Sequence, residues 1–240
     1  VSDVVTLERV TRSYGSVTAL DDVSLGFPRG RFVAVMGPSG SGKSTLLQCA
    51  AALDTPTSGT VRIGGVTVSG LNETRRTEVR RKHVGFVFQS YNLLPSITVE
   101  ENLTLPLRLA GVRPDRAWLS ELVERVGLGG RLRRRPAELS GGQQQRAALV
   151  RALAARPDVV FADEPTGALD LRSAAEVLGL LRELVDELGQ TVIMVTHDPA
   201  AAARAHETLV MADGRVVDLL SAPAPEELAV RLTRLNGALT

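Results

Sequence analysis

This sequence predicts an α/β fold with a mainly parallel core sheet and an inserted helical segment. Three observations carry the prediction. Apolar stretches of strand length alternate with helical ones, and one such strand runs straight into a glycine-rich loop. The texture between about residues 95 and 156 then turns almost wholly helical.

In order along the chain, residues 4–10 and 23–27 are β-like, and residues 31–36 form the apolar strand that enters the glycine loop. Residues 43–53 follow as a helix with Leu46, Leu47, Ala50 and Ala51 on one apolar face. Residues 59–68 read as a small hairpin turning at Gly64 and Gly65. Residues 84–88 are a strand of the buried type that ends at Gln89. From 99 to 155 helices are expected, broken at Pro106, Gly111, Pro114 and the glycines of 127–130. Strands return at 159–162 and 191–195, on either side of a helix over about 171–188. Gly189 stands where a C-cap glycine belongs. Residues 209–211 and 216–219 flank Asp213 and Gly214 as a hairpin, and Leu228, Leu232 and Leu235 mark a tail helix.

The 240 residues suit one sizeable domain, and 44% apolar with 23% charged residues is an ordinary balance for a water-soluble fold. A formal net charge of +1 gives no charge-driven attraction to a polyanion, so no nucleic-acid partner is expected. The single cysteine, Cys49, excludes an internal disulfide and fits a reducing compartment. No stretch approaches the roughly 20 apolar residues that span a bilayer. The first residues lack the basic region and apolar run of a signal peptide. A cytosolic location is expected, unless a partner holds the chain at a membrane.

The chemistry concentrates in a few short motifs. Gly37, Pro38, Ser39, Gly40, Ser41, Gly42, Lys43, Ser44 and Thr45 satisfy the G-x-x-x-x-G-K-[ST] spacing, with a strand before and a helix after. Glycines let successive backbone N–H groups turn inward around phosphate oxygens, and the helix N-terminus adds a favourable field for an anion. Lys43 is placed to reach the β- and γ-phosphates, and the Ser44 hydroxyl to ligate Mg²⁺. Asp163 and Glu164 close an apolar strand, where open α/β sheets bind ligands. Asp163 suits holding Mg²⁺ and Glu164 suits polarising an attacking water. An acidic pair there can equally cap the next turn, and the phosphate loop upstream favours the chemical role.

Five separated elements carry a family resemblance: Gln89 after Val87 and Phe88; Leu139, Ser140, Gly141, Gly142 and Gln143; Asp163 and Glu164; Gly167, Ala168, Leu169 and Asp170; and Thr196, His197 and Asp198. In this order the chain resembles the nucleotide-binding subunits of ATP-binding-cassette (ABC) transporters, over about residues 7–217. The stretches 89–95 and 162–167 look most like the branch serving lipoprotein release, macrolide export and antimicrobial-peptide resistance. Gly167 stands where many such subunits carry Ser, a departure shared by that branch.

The resemblance implies a phosphate-loop NTPase whose mainly parallel core sheet is joined by an N-terminal antiparallel β subdomain and an inserted α-helical subdomain. It divides the chain into a core with the β subdomain at 1–94 and 157–220, a helical subdomain at 95–156 and a C-terminal tail helix at 221–240. It implies a head-to-tail homodimer with two ATPs at the interface, in which Ser140, Gly141, Gly142 and Gln143 of one copy contact the nucleotide held by the other. Read physically, Ser140 is also a helix N-cap, and the contact would use the same geometry. Gln89 is implied as a Mg²⁺ ligand or water-orienting group, His197 as a donor to the γ-phosphate, and Asp170 as a link across the dimer. Tyr14 is implied as the aromatic that stacks on adenine, with Val17 adding to that platform.

The activity implied is ATP hydrolysis driving transmembrane permease subunits outside this chain. The resemblance also implies the 95–156 insert and the Gln89 loop as the docking surface, and a peripheral location at the cytoplasmic face of the cell membrane. A mechanotransmission ATPase acting through a membrane partner on cell-wall remodelling would carry the same residues. A chromosome or repair ATPase would need long coiled coils, and no sustained heptads occur here. A translation factor of this kind would need two cassettes. A GTPase would need an Asn-Lys-x-Asp motif, which is absent. Arg75, Arg76, Arg80, Arg81 and Lys82 are read as a solvated face. Arg131, Arg133, Arg134 and Arg135 are read as bridging helices. Cys49 and Trp118 are assigned to packing, and His83 and His206 to packing or surface.

Overall fold

In the computed structural model, residues 2–237 are described. Strands β1 (Asp3–Tyr14), β2 (Val17–Pro28), β4 (Ser58–Ile63) and β5 (Val66–Thr67) form an antiparallel sheet in the order β2-β1-β4-β5. Strands β3 (Phe32–Met36), β6 (Val84–Phe88), β7 (Val159–Asp163), β8 (Thr191–Val195), β9 (Glu207–Ala212) and β10 (Arg215–Ser221) form the core sheet, ordered β10-β9-β3-β8-β7-β6. All its pairings are parallel except β10 with β9. The strand preceding the glycine loop and the strand ending in two acids are therefore separated by one strand, β8.

Period-2 alternation explains how both faces of the core sheet are filled. Phe32, Ala34, Met36, Val160, Ala162, Val192 and Met194 face one apolar cluster, and Val33, Val35, Val159, Phe161, Ile193 and Val195 face the other. The first cluster is closed by α3 (Val99–Leu109), α4 (Arg116–Arg125), α5 (Gly141–Leu153), α6 (Leu171–Leu188) and Leu228 of α8 (Pro225–Gly237). The second is closed by α1 (Lys43–Ala50) and the antiparallel sheet. α2 (Glu73–His83) precedes β6, and α7 (Pro199–Ala202) follows β8.

Several expectations need correction. Pro106 does not break its helix: α3 runs through it to Leu109. Helix-interior proline costs about 3 kcal/mol, but Val99, Leu103 and Leu107 bury one face of α3, and Thr98 with Glu101 forms a complete capping box. The helix after the glycine loop stops at Ala50 rather than 53, because Ala52 turns left-handed (φ 56°). α2 was not expected as a helix. It buries no residue, so no apolar stripe announces it, and its order comes from the Asn72 cap and charge pairing. Arg76 and Arg80 both reach Glu73, Arg76 also Thr55 and Arg80 the Ala52 carbonyl, so these two do not belong to a free basic face. The expected tail helix 221–240 is observed as Pro225–Gly237, and 238–240 lie outside the described residues.

Candidate functional site

The parallel register brings four strand ends to one edge of the core sheet. Phe88 pairs with Asp163, Asp163 with Val195, and Val35 with Val195. The residues that follow each strand, Gln89, Glu164, Thr196 with His197, and Gly37 onward, therefore share one rim, at the carboxyl ends where such sheets bind ligands.

The glycine loop is shaped by close approach. A Cβ on Gly37 would lie 2.1 Å from the Met211 carbonyl, and one on Gly42 (φ 95°) would lie 2.3 Å from the Ala19 carbonyl. Only glycine fits either position. Gly42 caps α1 with no side-chain hydrogen bond, so the first-turn amides of Lys43, Ser44 and Thr45 face an anion site rather than a capping oxygen. Pro38 and Ser41 are buried beneath the loop, Ser39, Gly40 and Ser44 are exposed, and Thr45 is half-buried. The Lys43 ammonium donates to the carbonyls of Gly37 at 2.9 Å and Pro38 at 2.7 Å, which holds it over the loop. Burial lowers the Lys43 pKa, and the Glu164 carboxylate partly offsets this.

Glu164 adopts a left-handed backbone (φ 46°) just after β7, an uncommon conformation for a side chain of this size. Its amide donates to the Val195 carbonyl at 2.9 Å, and its carbonyl accepts from Gly167 at 3.1 Å. Its Oε1 lies 2.8 Å from Nδ1 of His197, whose side chain is 74% exposed. The Thr196 hydroxyl donates weakly to Oε2 at 3.4 Å. Burial first, and the Glu164 charge second, push the Asp163 carboxyl above its ordinary value. Asp163 is thus a half-buried carboxylate at the end of β7, paired in register with Phe88, the residue before Gln89, and a carboxylate oxygen is the kind of hard donor that Mg²⁺ takes.

Gln89 packs against Gly167: a Cβ there would lie 2.6 Å from Gln89 Nε2. The glycine at this position therefore makes room for the Gln89 side chain.

Sequence reading missed the groups that hold this rim together. Gln145, fully buried, donates from Nε2 to the Pro165 carbonyl at 2.6 Å and to the Phe88 carbonyl at 3.3 Å. It thus grips the backbone next to both Glu164 and Gln89. Arg151 donates to the carbonyls of Tyr91 and Asn92, both left-handed, beyond Gln89. Gln145 and Arg151 both lie on α5, at positions the motif spacing alone did not single out.

Ser140 caps α5 in a reciprocal box with Gln143: the Gln143 amide donates to Ser140 Oγ at 3.3 Å, and the Ser140 amide to Gln143 Oε1 at 3.2 Å. The amides of Gly141 and Gly142 are left to meet an anion. A Cβ on Gly141 would lie 2.8 Å from the Tyr91 hydroxyl, and one on Gly142 2.9 Å from Ser173 Oγ. Asp170 caps α6, accepting from the Ser173 amide at 2.9 Å and its hydroxyl at 2.7 Å. The hydrogen bonds of Ser140 and Gln143 stay within their own cap, so the chain does not itself join them to the glycine loop. Tyr14 (45% exposed), Ala19, Gly40, Gly42, Lys43, Ser44 and Thr45 line a cavity of about 300 Å³, and Val17 is 65% exposed nearby in sequence.

A phosphate-cradling loop and paired acids on one rim, with a separate glycine-started helix N-terminus, define an ATP-binding cassette. The ABC transporter family model matches residues 20–167, and the chain belongs to that family as an ATP-binding and ATP-hydrolysing domain. It is 46% identical over 228 residues to the macrolide export ATP-binding/permease protein MacB of Marinobacter nauticus, covering 92% of this chain and 35% of that protein. With MacB 1/2 of Paracoccus denitrificans it shares 48% over 220 residues, 89% of this chain and 33% of the relative. The chain thus spans about a third of the length of these relatives. Among solved structures, the dimeric cassette MJ0796, described as a bacterial ABC transporter cassette, superposes with a TM-score of 0.81 at 39% identity, covering 92% of this chain and 99% of that one. The same cassette is similar to this extent in a dimeric post-hydrolysis state bound to ADP and Pi. Among the described residues no helix is long and apolar enough to cross a membrane.

Proposed function

We propose that this chain is the motor of a transmembrane permease, binding Mg-ATP in a head-to-tail pair of copies, closing, hydrolysing and reopening. The observation that carries the reading is the split between two half-sites. One rim gathers Lys43, Glu164, His197 and Gln89, while the Ser140 helix end bonds only within its own cap. A second copy completes the site, as the dimeric form of the similar cassette MJ0796 supports.

In this reading Gly37 to Thr45 and Lys43 hold the phosphates, and Ser140, Gly141, Gly142 and Gln143 approach the γ-phosphate from the partner copy. Glu164 accepts a proton from the attacking water, and His197, steadied by Glu164, donates to the γ-phosphate. Asp170 links the two sites across the pair. Ser44, Gln89 and Asp163 would hold Mg²⁺, which when bound neutralises charge on the phosphate oxygens. Tyr14 and Val17 receive the adenine. Catalysis is then mostly positioning and electrostatics.

We assign residues 1–94 with 157–220 to the core and β subdomain, 95–156 to a helical subdomain that docks the permease together with the Gln89 loop, and 221–240 to a tail. The permease is taken as a separate subunit, and this domain as peripheral at the cytoplasmic membrane face. The MacB relatives, whose names join ATP binding and permease in one protein, support the pairing of such a domain with a permease.

The deciding experiment is Glu164→Gln. It should bind ATP, lose about 10²–10³-fold in turnover, and run as a dimer on size exclusion only with ATP. Wild-type turnover, or a monomer at saturating ATP, would remove the reading.

A further inference from the structure

Tyr14 is not a free aromatic at the cavity mouth. Its hydroxyl donates to Asp54 Oδ2 at 2.6 Å. Arg12 binds the same carboxylate with both arms of its fork, Nε to Oδ2 at 2.8 Å and Nη2 to Oδ1 at 2.9 Å. The Arg12 guanidinium carbon also stands 4.3 Å from the Tyr14 ring centroid. One face of the ring is therefore covered by a cation.

Asp54 is itself fixed. Its Oδ1 accepts from the Thr55 amide at 2.7 Å, and its own amide donates to the Gln48 carbonyl at 3.1 Å. Gln48 belongs to α1, whose first turn carries Lys43, Ser44 and Thr45. The chain of contacts Tyr14–Asp54–Gln48 thus ties the ring to the helix that bears the phosphate loop. Partial burial opposes ionisation of Asp54, but the hydrogen bonds from Tyr14, Thr55 and Arg12 outweigh it and keep the carboxyl below its ordinary value. The cavity between ring and loop includes Tyr14 in its lining but neither Arg12 nor Asp54.

We propose that Arg12 and Asp54 are positioning residues that lock Tyr14 into a one-faced stacking platform at a fixed span from the phosphate loop. The inference rests on the reading of Tyr14 as the base platform. A locked ring loses little freedom when a base stacks on it, so more of the stacking energy appears as affinity. A base at one end and phosphates at the other must then match that span, which makes the site favour a nucleoside triphosphate over a bare polyphosphate.

The test compares ATP with inorganic tripolyphosphate, each with Mg²⁺, by titration calorimetry on the full chain. Tyr14→Ala should weaken ATP and leave tripolyphosphate unchanged. Asp54→Ala should weaken ATP by roughly 3- to 10-fold, again without change for tripolyphosphate and with turnover at saturating ATP retained. Arg12→Leu, which leaves Asp54 and the Tyr14 hydroxyl in place, should act in the same direction. If Tyr14→Ala weakens ATP while Asp54→Ala and Arg12→Leu do not, the platform stands and the lock is wrong. If both ligands weaken equally in Asp54→Ala, Asp54 merely shapes the loop and the proposal is overturned. If Tyr14→Ala changes neither ligand, the base platform itself is lost.

Discussion

At the residue scale, Asp163 carries a stability cost in the nucleotide-free fold. Its folded pKa is raised, so the ionised form is disfavoured in the fold relative to the unfolded chain. The sign follows: stability from this group is present below its unfolded pKa and lost as pH rises through the folded value. Asp163→Asn should therefore raise the thermal midpoint of the nucleotide-free protein at neutral pH, with the gain shrinking under acid, while hydrolysis disappears. Calorimetry across pH checks this, and a lowered midpoint at pH 7 would contradict it. In the proposed reading Lys43→Ala removes charge-assisted hydrogen bonds to phosphate, and it should weaken ATP by about 10- to 100-fold, measurable by equilibrium binding. Cys49 lies fully buried, and burial pushes its thiol up to about 12. Folded protein at pH 8 should resist a thiol reagent that labels the urea-unfolded chain at once.

At the scale of elements, α5 is more than the bearer of the Ser140 cap. Its N-terminus presents the amides of Gly141 and Gly142. Farther along, Gln145 holds the Pro165 and Phe88 carbonyls, and Arg151 holds Tyr91 and Asn92. One helix thus binds the backbone beside Glu164 and beside Gln89, and its N-terminus is the end proposed to meet a second copy. Gln145→Leu keeps most of the volume and removes the hydrogen bonds. Steady-state kinetics should show kcat reduced on the order of tenfold with the KM for ATP nearly unchanged. A rise in KM alone would place Gln145 with binding rather than with the chemistry. Neither role was visible in the residue string, because Gln145 and Arg151 act through carbonyls that only the packing of α5 against β6 and the Glu164 turn brings within reach.

For the whole molecule, a mixing experiment decides the proposed pair of half-sites. Ser140→Asp keeps a good N-cap residue and sets a negative charge where the γ-phosphate is expected, so it should be inactive, as should Lys43→Ala. In a mixed pair one site combines both defects and the other is intact. Turnover should therefore reappear when the two inactive proteins are combined. Activity no greater than that of the separate variants would sink the composite site.

The sequence by itself determined the alternating α/β plan, the phosphate loop, the acids at the end of β7 and the family, because each depends on local spacing: glycines at fixed offsets, period-2 strands, a cap before a helix. Helix α2 escaped it for want of an apolar stripe, and the continuation of α3 through Pro106 escaped it because burial outweighed a local propensity. Only the tertiary structure decided which strand ends share a rim, that β8 separates β3 from β7, that Gln145 binds the turns after β6 and β7, and that Arg12 and Asp54 seize Tyr14. These are pairings between residues far apart in the chain, set by sheet register and helix packing, and no local pattern encodes them.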